Sequence, residues 1–170
     1  MTLTLMLRLI HIILGVFWAG VIFFLVLFLG PAVRRSGPGG GRVMAEINRA
    51  RFFEVMPVVA LVTILSGAWL LWLLSGGFEA AFMGTPWGIS LSVGAVAAVV
   101  AFVIGVFVMR PATTRMLELG PMMAAASSDE ERQAIGAELA PLRKRSRTAS
   151  LWVAWLLLIV VATMAVARYV

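Results

Sequence analysis

Charge is absent from four long stretches of the chain. Leu9 to Val33 covers 25 residues, Val55 to Phe78 covers 24, Ala80 to Met109 covers 30 and Thr148 to Ala167 covers 20. A helix crosses the hydrocarbon core of a bilayer with about 20 mostly apolar residues, so each stretch is long enough. An open sheet would leave backbone groups unpaired in lipid, which makes helices the expected state. Gly84-Thr85-Pro86 trims the third stretch from its front. The pattern predicts an all-α, polytopic membrane protein. It forms a single membrane domain over residues 1–170, a four-transmembrane-helix bundle with spans near 9–31, 56–75, 87–110 and 149–167. Two loops, 32–55 and 111–148, are expected on one side, the second of them helical.

The first stretch is longer than the roughly 7–15 apolar residues of a signal peptide. It continues through Phe23-Phe24-Leu25-Val26-Leu27-Phe28, so it is expected to stay as the first span. Basic residues then set the orientation. The loop between spans 1 and 2 holds five, Arg34, Arg35, Arg42, Arg49 and Arg51, and the loop between spans 3 and 4 holds seven, including Arg143-Lys144-Arg145 and Arg147. The other side has only Arg8 and Arg168, near the two termini. Cytoplasmic loops carry the excess of Lys and Arg. The expected placement is therefore multi-pass in a bacterial-type inner (plasma) membrane, with both termini outside.

Within the first loop, Ser36-Gly37-Pro38-Gly39-Gly40-Gly41 reads as a flexible turn, and Arg42 to Met56 as an amphipathic helix leading into span 2. In the second loop, Gly120-Pro121 is expected to end an extension of span 3. Ser128-Asp129-Glu130-Glu131 is a capping box that starts a new helix, which Pro141 should end or kink. The Arg143–Arg147 cluster suits an anionic inner leaflet, and equally a plain topology anchor.

Composition sharpens this picture mainly by exclusion. The chain is 62% hydrophobic and 13% charged, with a mean hydropathy of +1.02. Soluble domains are about 45–50% apolar and about 25% charged. There is no cysteine, which excludes disulfides, thiolate metal sites and Cys nucleophiles. The formal charge of +6 follows from the loop arginines beside the spans, so no nucleic-acid partner is expected. The expected partners are the lipid bilayer and, as alternatives, other membrane subunits or a second copy of the chain.

Helix association in lipid depends on close backbone approach. Span 3 carries Gly94, Ala98, Ala101 and Gly105 as a stripe of small residues, span 2 carries Ala60, Thr63 and Gly67, and span 1 carries Gly15 and Ala19. These fit packing within the bundle, a subunit contact, or a groove for a flat cofactor. Several of the six tryptophans, Trp18, Trp69, Trp72, Trp87, Trp152 and Trp155, fall near the expected interfaces. No internal repeat stands out.

One residue carries chemistry. His11 is the only histidine, at the outer end of span 1, and Gly15 and Trp18 follow it on the same helical face. An ionisable residue inside a span is a functional-site hypothesis by default. A neutral imidazole ligates haem iron or copper, and thioethers suit Cu(I) or the second haem position. The topology brings Met6, Met83 and Met164 to the same end, with Met164 nearest His11 in depth. The candidate cofactor-binding residues are His11, Gly15, Trp18 and Met164, and the candidate metal ligands are His11, Met164 and Met83. No residue is assigned a catalytic role. An interfacial anchor is the alternative reading of His11, and gap-filling the alternative for the methionines.

Leu9-Ile10-His11-Ile12-Ile13-Leu14-Gly15-Val16-Phe17-Trp18-Ala19-Gly20, with Leu29-Gly30-Pro31-Ala32 after it, resembles the first helix of the CopD-like (copper resistance D) superfamily of small integral membrane proteins. Arg51-Phe52-Phe53, Ser66-Gly67 and Thr85-Pro86-Trp87-Gly88 are similar to it as well. That superfamily includes the haem-containing membrane protoporphyrinogen oxidase and uncharacterised membrane proteins. The resemblance implies a four-helix bundle and His11 as ligand to haem b, or to copper. The oxidase carries a lysine early in its third helix; here Gly88-Ile89-Ser90-Leu91-Ser92-Val93 has none, which argues against an anionic tetrapyrrole substrate. Two functions are therefore expected to compete: a haem- or copper-binding protein for electron transfer, and a non-catalytic subunit or scaffold that binds no cofactor. A transporter is least favoured, since the spans carry no central charge.

Overall fold

The computed structural model describes Thr2 to Val170, apart from the side chain of Pro38. Six helices make up the described chain: α1 Thr2–Arg35, α2 Pro38–Arg49, α3 Phe52–Leu74, α4 Ala80–Met83, α5 Pro86–Ala125 and α6 Asp129–Val166. There is no strand among the described residues. Helices α1, α3, α5 and α6 are each long and apolar enough to cross a membrane. Large apolar side chains cover their outer faces, as at Val16, Val96 and Trp155, each more than 60% exposed. In water such a surface would drive aggregation; in a bilayer it is solvated by lipid. The chain is a multi-pass, all-α membrane protein.

The bundle is built from two close pairs, α1 with α3 and α5 with α6, and the contacts across the pairs are thinner. Trp18, Ile22, Met56, Ala60, Ala101, Val153 and Leu157 form the central core. Ala101 is completely buried, and Val153 and Leu157 are almost so. Both chain termini lie at one end of the bundle, the terminal end. The segments around residues 36–51 and 126–128 lie at the other, the loop end.

Several local expectations are corrected at the loop end. The glycine-rich segment is no flexible turn: α2 starts at Pro38 and takes in Gly39, Gly40 and Gly41. A Cβ on Gly40 would stand 2.1 Å from the carbonyl oxygen of Val33, so only glycine lets α2 sit against the end of α1. Nor does one amphipathic helix run from Arg42 to Met56. The chain breaks at Arg51, which is left-handed at φ 60, and the break turns Phe53 into the core. Arg51 pairs with Glu54 at 2.7 Å across the new first turn.

Prolines 121 and 141 do not stop their helices. Both lie inside continuous helix, in α5 and α6. A proline inside a helix costs about 3 kcal/mol or more, and packing on both sides of each one offsets it. Leu119, Ala126, Ile135 and Leu139 form a second apolar cluster, flanked by Met116, Met123 and Leu142. Arg115 adds ion pairs to Glu138 at 2.7 Å and Glu118 at 3.0 Å. The expected loop 111–148 is thus a helical hairpin extending the α5–α6 pair. Its second helix begins as the capping box requires: Ser128 Oγ accepts from the Glu131 backbone N–H at 3.1 Å. The Glu131 carboxylate reaches back to the Ser127 N–H at 3.0 Å, one residue earlier than the usual box.

Two prolines are accommodated differently. Pro31 and Pro111 each follow one turn of π-helix, Leu25–Leu29 in α1 and Gly105–Met109 in α5. A wider turn moves the carbonyl that a proline ring would otherwise strike.

Candidate functional site

His11 sits in the α1–α3 interface near the terminal end. Its Nδ1 lies 2.8 Å from the carbonyl oxygen of Thr63, with Ser66 Oγ at 3.5 Å. A carbonyl can only accept, so Nδ1 carries the proton, and in the neutral ring Nε2 keeps its lone pair. The hydroxyls around it are satisfied along α3 itself: Thr63 Oγ1 donates to Val59 O at 2.8 Å and Ser66 Oγ to Val62 O at 2.7 Å. The imidazole occupies space that α3 leaves open. A Cβ on Gly67 would come within 2.6 Å of His11 Cε1 and 2.9 Å of Nδ1. A Cβ on Gly15, one turn on, would meet the Thr63 methyl at an ordinary contact distance of 3.5 Å.

The remaining sequence candidates have other partners. Trp18 is buried in the central core, 5% exposed, with Ile22 and Met56. Met164 packs on α5: a Cβ on Gly94 would lie 2.9 Å from its terminal methyl. Met83 closes the short helix α4, whose backbone crosses Gly88 so closely that a Cβ there would meet Phe82 O at 2.3 Å. Met6 is half exposed on α1. The hydrogen-bond partners of His11 are thus Thr63 and Ser66, its ring lies over Gly67, and Met164 and Met83 pack elsewhere. Among the described residues no group of three or more His, Cys, Asp or Glu side chains could hold a metal ion.

The α5–α6 pair holds a counterpart of this arrangement. Ser90 Oγ donates to the carbonyl of Thr163 at 3.0 Å, as His11 does to Thr63. Thr163 Oγ1 bonds back to Ile159 O at 2.8 Å, as Thr63 does to Val59 O. Gly94, four residues after Ser90, meets Thr163, as Gly15, four after His11, meets Thr63. Four residues beyond each threonine stand Gly67 and Ala167, the smaller one beneath the larger donor. With the two π-turns before Pro31 and Pro111, the halves form a parallel structural repeat. The sequence hides it, since α2 and the hairpin separate the matching parts by different lengths. The faint signals are His11-x-x-x-Gly15 beside Ser90-x-x-x-Gly94, and Pro31-Ala32 beside Pro111-Ala112.

The small-residue stripe divides by role. Gly94 and Ala101 are buried helix contacts, Ala98 is half-buried, and Gly105 has open space where a Cβ would stand. Gly105 also lines an apolar cavity of about 50 Å³ near the loop end, in the seam between the halves. The chain matches no protein-family model, no curated protein and no solved structure.

Proposed function

We propose that this small integral membrane protein presents His11 Nε2 as the protein ligand of a b-type haem at the terminal end of the bundle, for electron transfer. The observation that carries the reading is the bond from His11 Nδ1 to the Thr63 carbonyl. A metal-binding histidine is usually oriented by such a bond from its other nitrogen, which fixes the tautomer and raises ligand basicity. A haem held there by His11 would supply one-electron redox chemistry. The chain's own residues do the positioning. Thr63 holds the ring, Gly67 makes room for it, and Gly15 keeps α1 close to α3. This reading agrees with the resemblance to the CopD-like superfamily.

Packing alone does not call for an imidazole. Ser90 makes the equivalent bond with a far smaller side chain. Copper has weaker support, because Met164 is engaged with Gly94 and no cluster of further ligands accompanies His11. The twelve basic residues at the loop end, against two at the other, support a cytoplasmic loop end and an outward-facing His11.

The experiment is an absorption spectrum of the full chain, purified from cells supplied with haem precursor. A Soret band at one haem per chain is expected, lost in His11→Ala and unchanged in Met164→Leu, which keeps the volume and removes the sulfur. A colourless protein that takes up no haem on titration overturns the reading and leaves the non-catalytic subunit in its place.

A further inference from the structure

The seam between the two halves opens near the loop end. There α3 contributes Phe53 and Met56, α5 contributes Ala101, Gly105 and Arg110, and Trp18 of α1 forms part of the wall of the apolar cavity. An apolar lining favours apolar groups over water. Its lining is almost wholly apolar, with one cation at its edge. Arg110 also borders an adjoining, more open recess of about 440 Å³ with Thr114, Arg115 and Glu118. In that recess Arg115 and Glu118 pair with each other at 3.0 Å, and Arg115 also holds Glu138. Arg110 takes part in no ion pair among the described residues.

The counterpart half lacks both features. At the matching place in the other π-turn stands Leu25 instead of Gly105, and before the proline stands Gly30 instead of Arg110. The open space and the unpaired cation thus occur together, in one half only.

We infer that this groove is a binding site for one anionic phospholipid, with the end of an acyl chain in the cavity beside Gly105 and the headgroup phosphate on Arg110. A guanidinium matches phosphate with paired, charge-assisted hydrogen bonds. Basic pockets between membrane helices at the cytoplasmic side suit anionic headgroups. The occupant is a lipid rather than a soluble anion, because the apolar slot and the cation are continuous and the groove lies beside apolar, lipid-facing helix surfaces. This site is independent of the haem reading.

The test uses the full chain in detergent with equal amounts of phosphatidylglycerol and phosphatidylcholine, and counts retained lipids by native mass spectrometry. The wild type should retain one phosphatidylglycerol with a preference of about fivefold or more, the size expected for one basic residue. Arg110→Gln should abolish the preference. Gly105→Leu, whose side chain enters open space, should lower retention of both lipids by filling the slot. Arg132→Gln, near the far tip of the α5–α6 hairpin where it pairs with Asp129, should leave the preference intact. Equal retention of both lipids by the wild type overturns the site. So does a preference that survives Arg110→Gln, or one that Arg132→Gln removes as fully. Arg110 is exposed, so its variant folds and decides the matter even if Gly105→Leu does not.

Discussion

The α1–α3 half and the α5–α6 half solve the same packing problem in lipid. Each begins with a polar side chain on its first helix bonded to a threonine carbonyl on its second. Each sets a glycine one turn later against that threonine, and each relaxes into a π-turn before a proline. These shared features are what the fold requires. The differences are what it does not require: an imidazole in place of a hydroxyl in the first half, and Gly105 with Arg110 in place of Leu25 with Gly30 in the second. Each half departs from the common plan at one end of the bundle, the first near the terminal end and the second near the loop end.

The comparison breaks most sharply if the halves do not run in the same direction. Cysteine variants test this without background, since the native chain has no cysteine. Gly39→Cys in the first half and Glu130→Cys in the second should be labelled from one side only, and Glu79→Cys from the other only. If Gly39→Cys and Glu130→Cys label from opposite sides, the parallel repeat is wrong.

Smaller but still clear is the difference between the two glycines. A Cβ on Gly94 would stand 2.7 Å from Thr163 Oγ1, whereas one on Gly15 meets its nearest neighbour at 3.5 Å. Gly94→Ala should therefore destabilise the bundle by about 1–3 kcal/mol, as overpacking does. Gly15→Ala should be neutral or gain up to about 1 kcal/mol from helix propensity. Thermal unfolding in detergent measures both, and equal shifts would remove the contrast. Smallest is the loss of the second-half bond. Ser90→Ala should cost about 0.6 kcal/mol, the average for such interhelical bonds. A cost of several kcal/mol would make Ser90 more than a packing residue.

The spans were legible because their signal is one of length and charge, which tertiary context cannot reverse: no side chain within Leu9–Val33 is charged, and lipid permits only a helix there. The capping box at Ser128 and the start at Thr85-Pro86 were legible for the same reason. Thr85 Oγ1 does accept the Gly88 N–H, at 3.1 Å. Pro121 and Pro141 misled because the local rule was outweighed by a remote one. Leu119 and Leu139 meet across the hairpin, and no window around either proline contains both. His11 was found by its rarity, but its partner was not, since the acceptor is a backbone carbonyl and every residue has one. The repeat was missed because the two halves share geometry at scattered positions and almost no sequence.

Residue 11 supplies a hydrogen-bond donor to the first half, and the imidazole is the part of it that the proposed haem ligand role requires. His11→Ser tests it most directly, by giving the first half the donor that the second already uses. The prediction is a protein that still folds, destabilised in detergent by no more than about 3 kcal/mol for the space the ring leaves beside Gly67, and whose haem absorption is gone. A variant that collapses while Ser90→Ala is tolerated would contradict the account by making the imidazole itself a structural need. One that stays folded and retains the full haem spectrum would contradict it by freeing His11 of the ligand role.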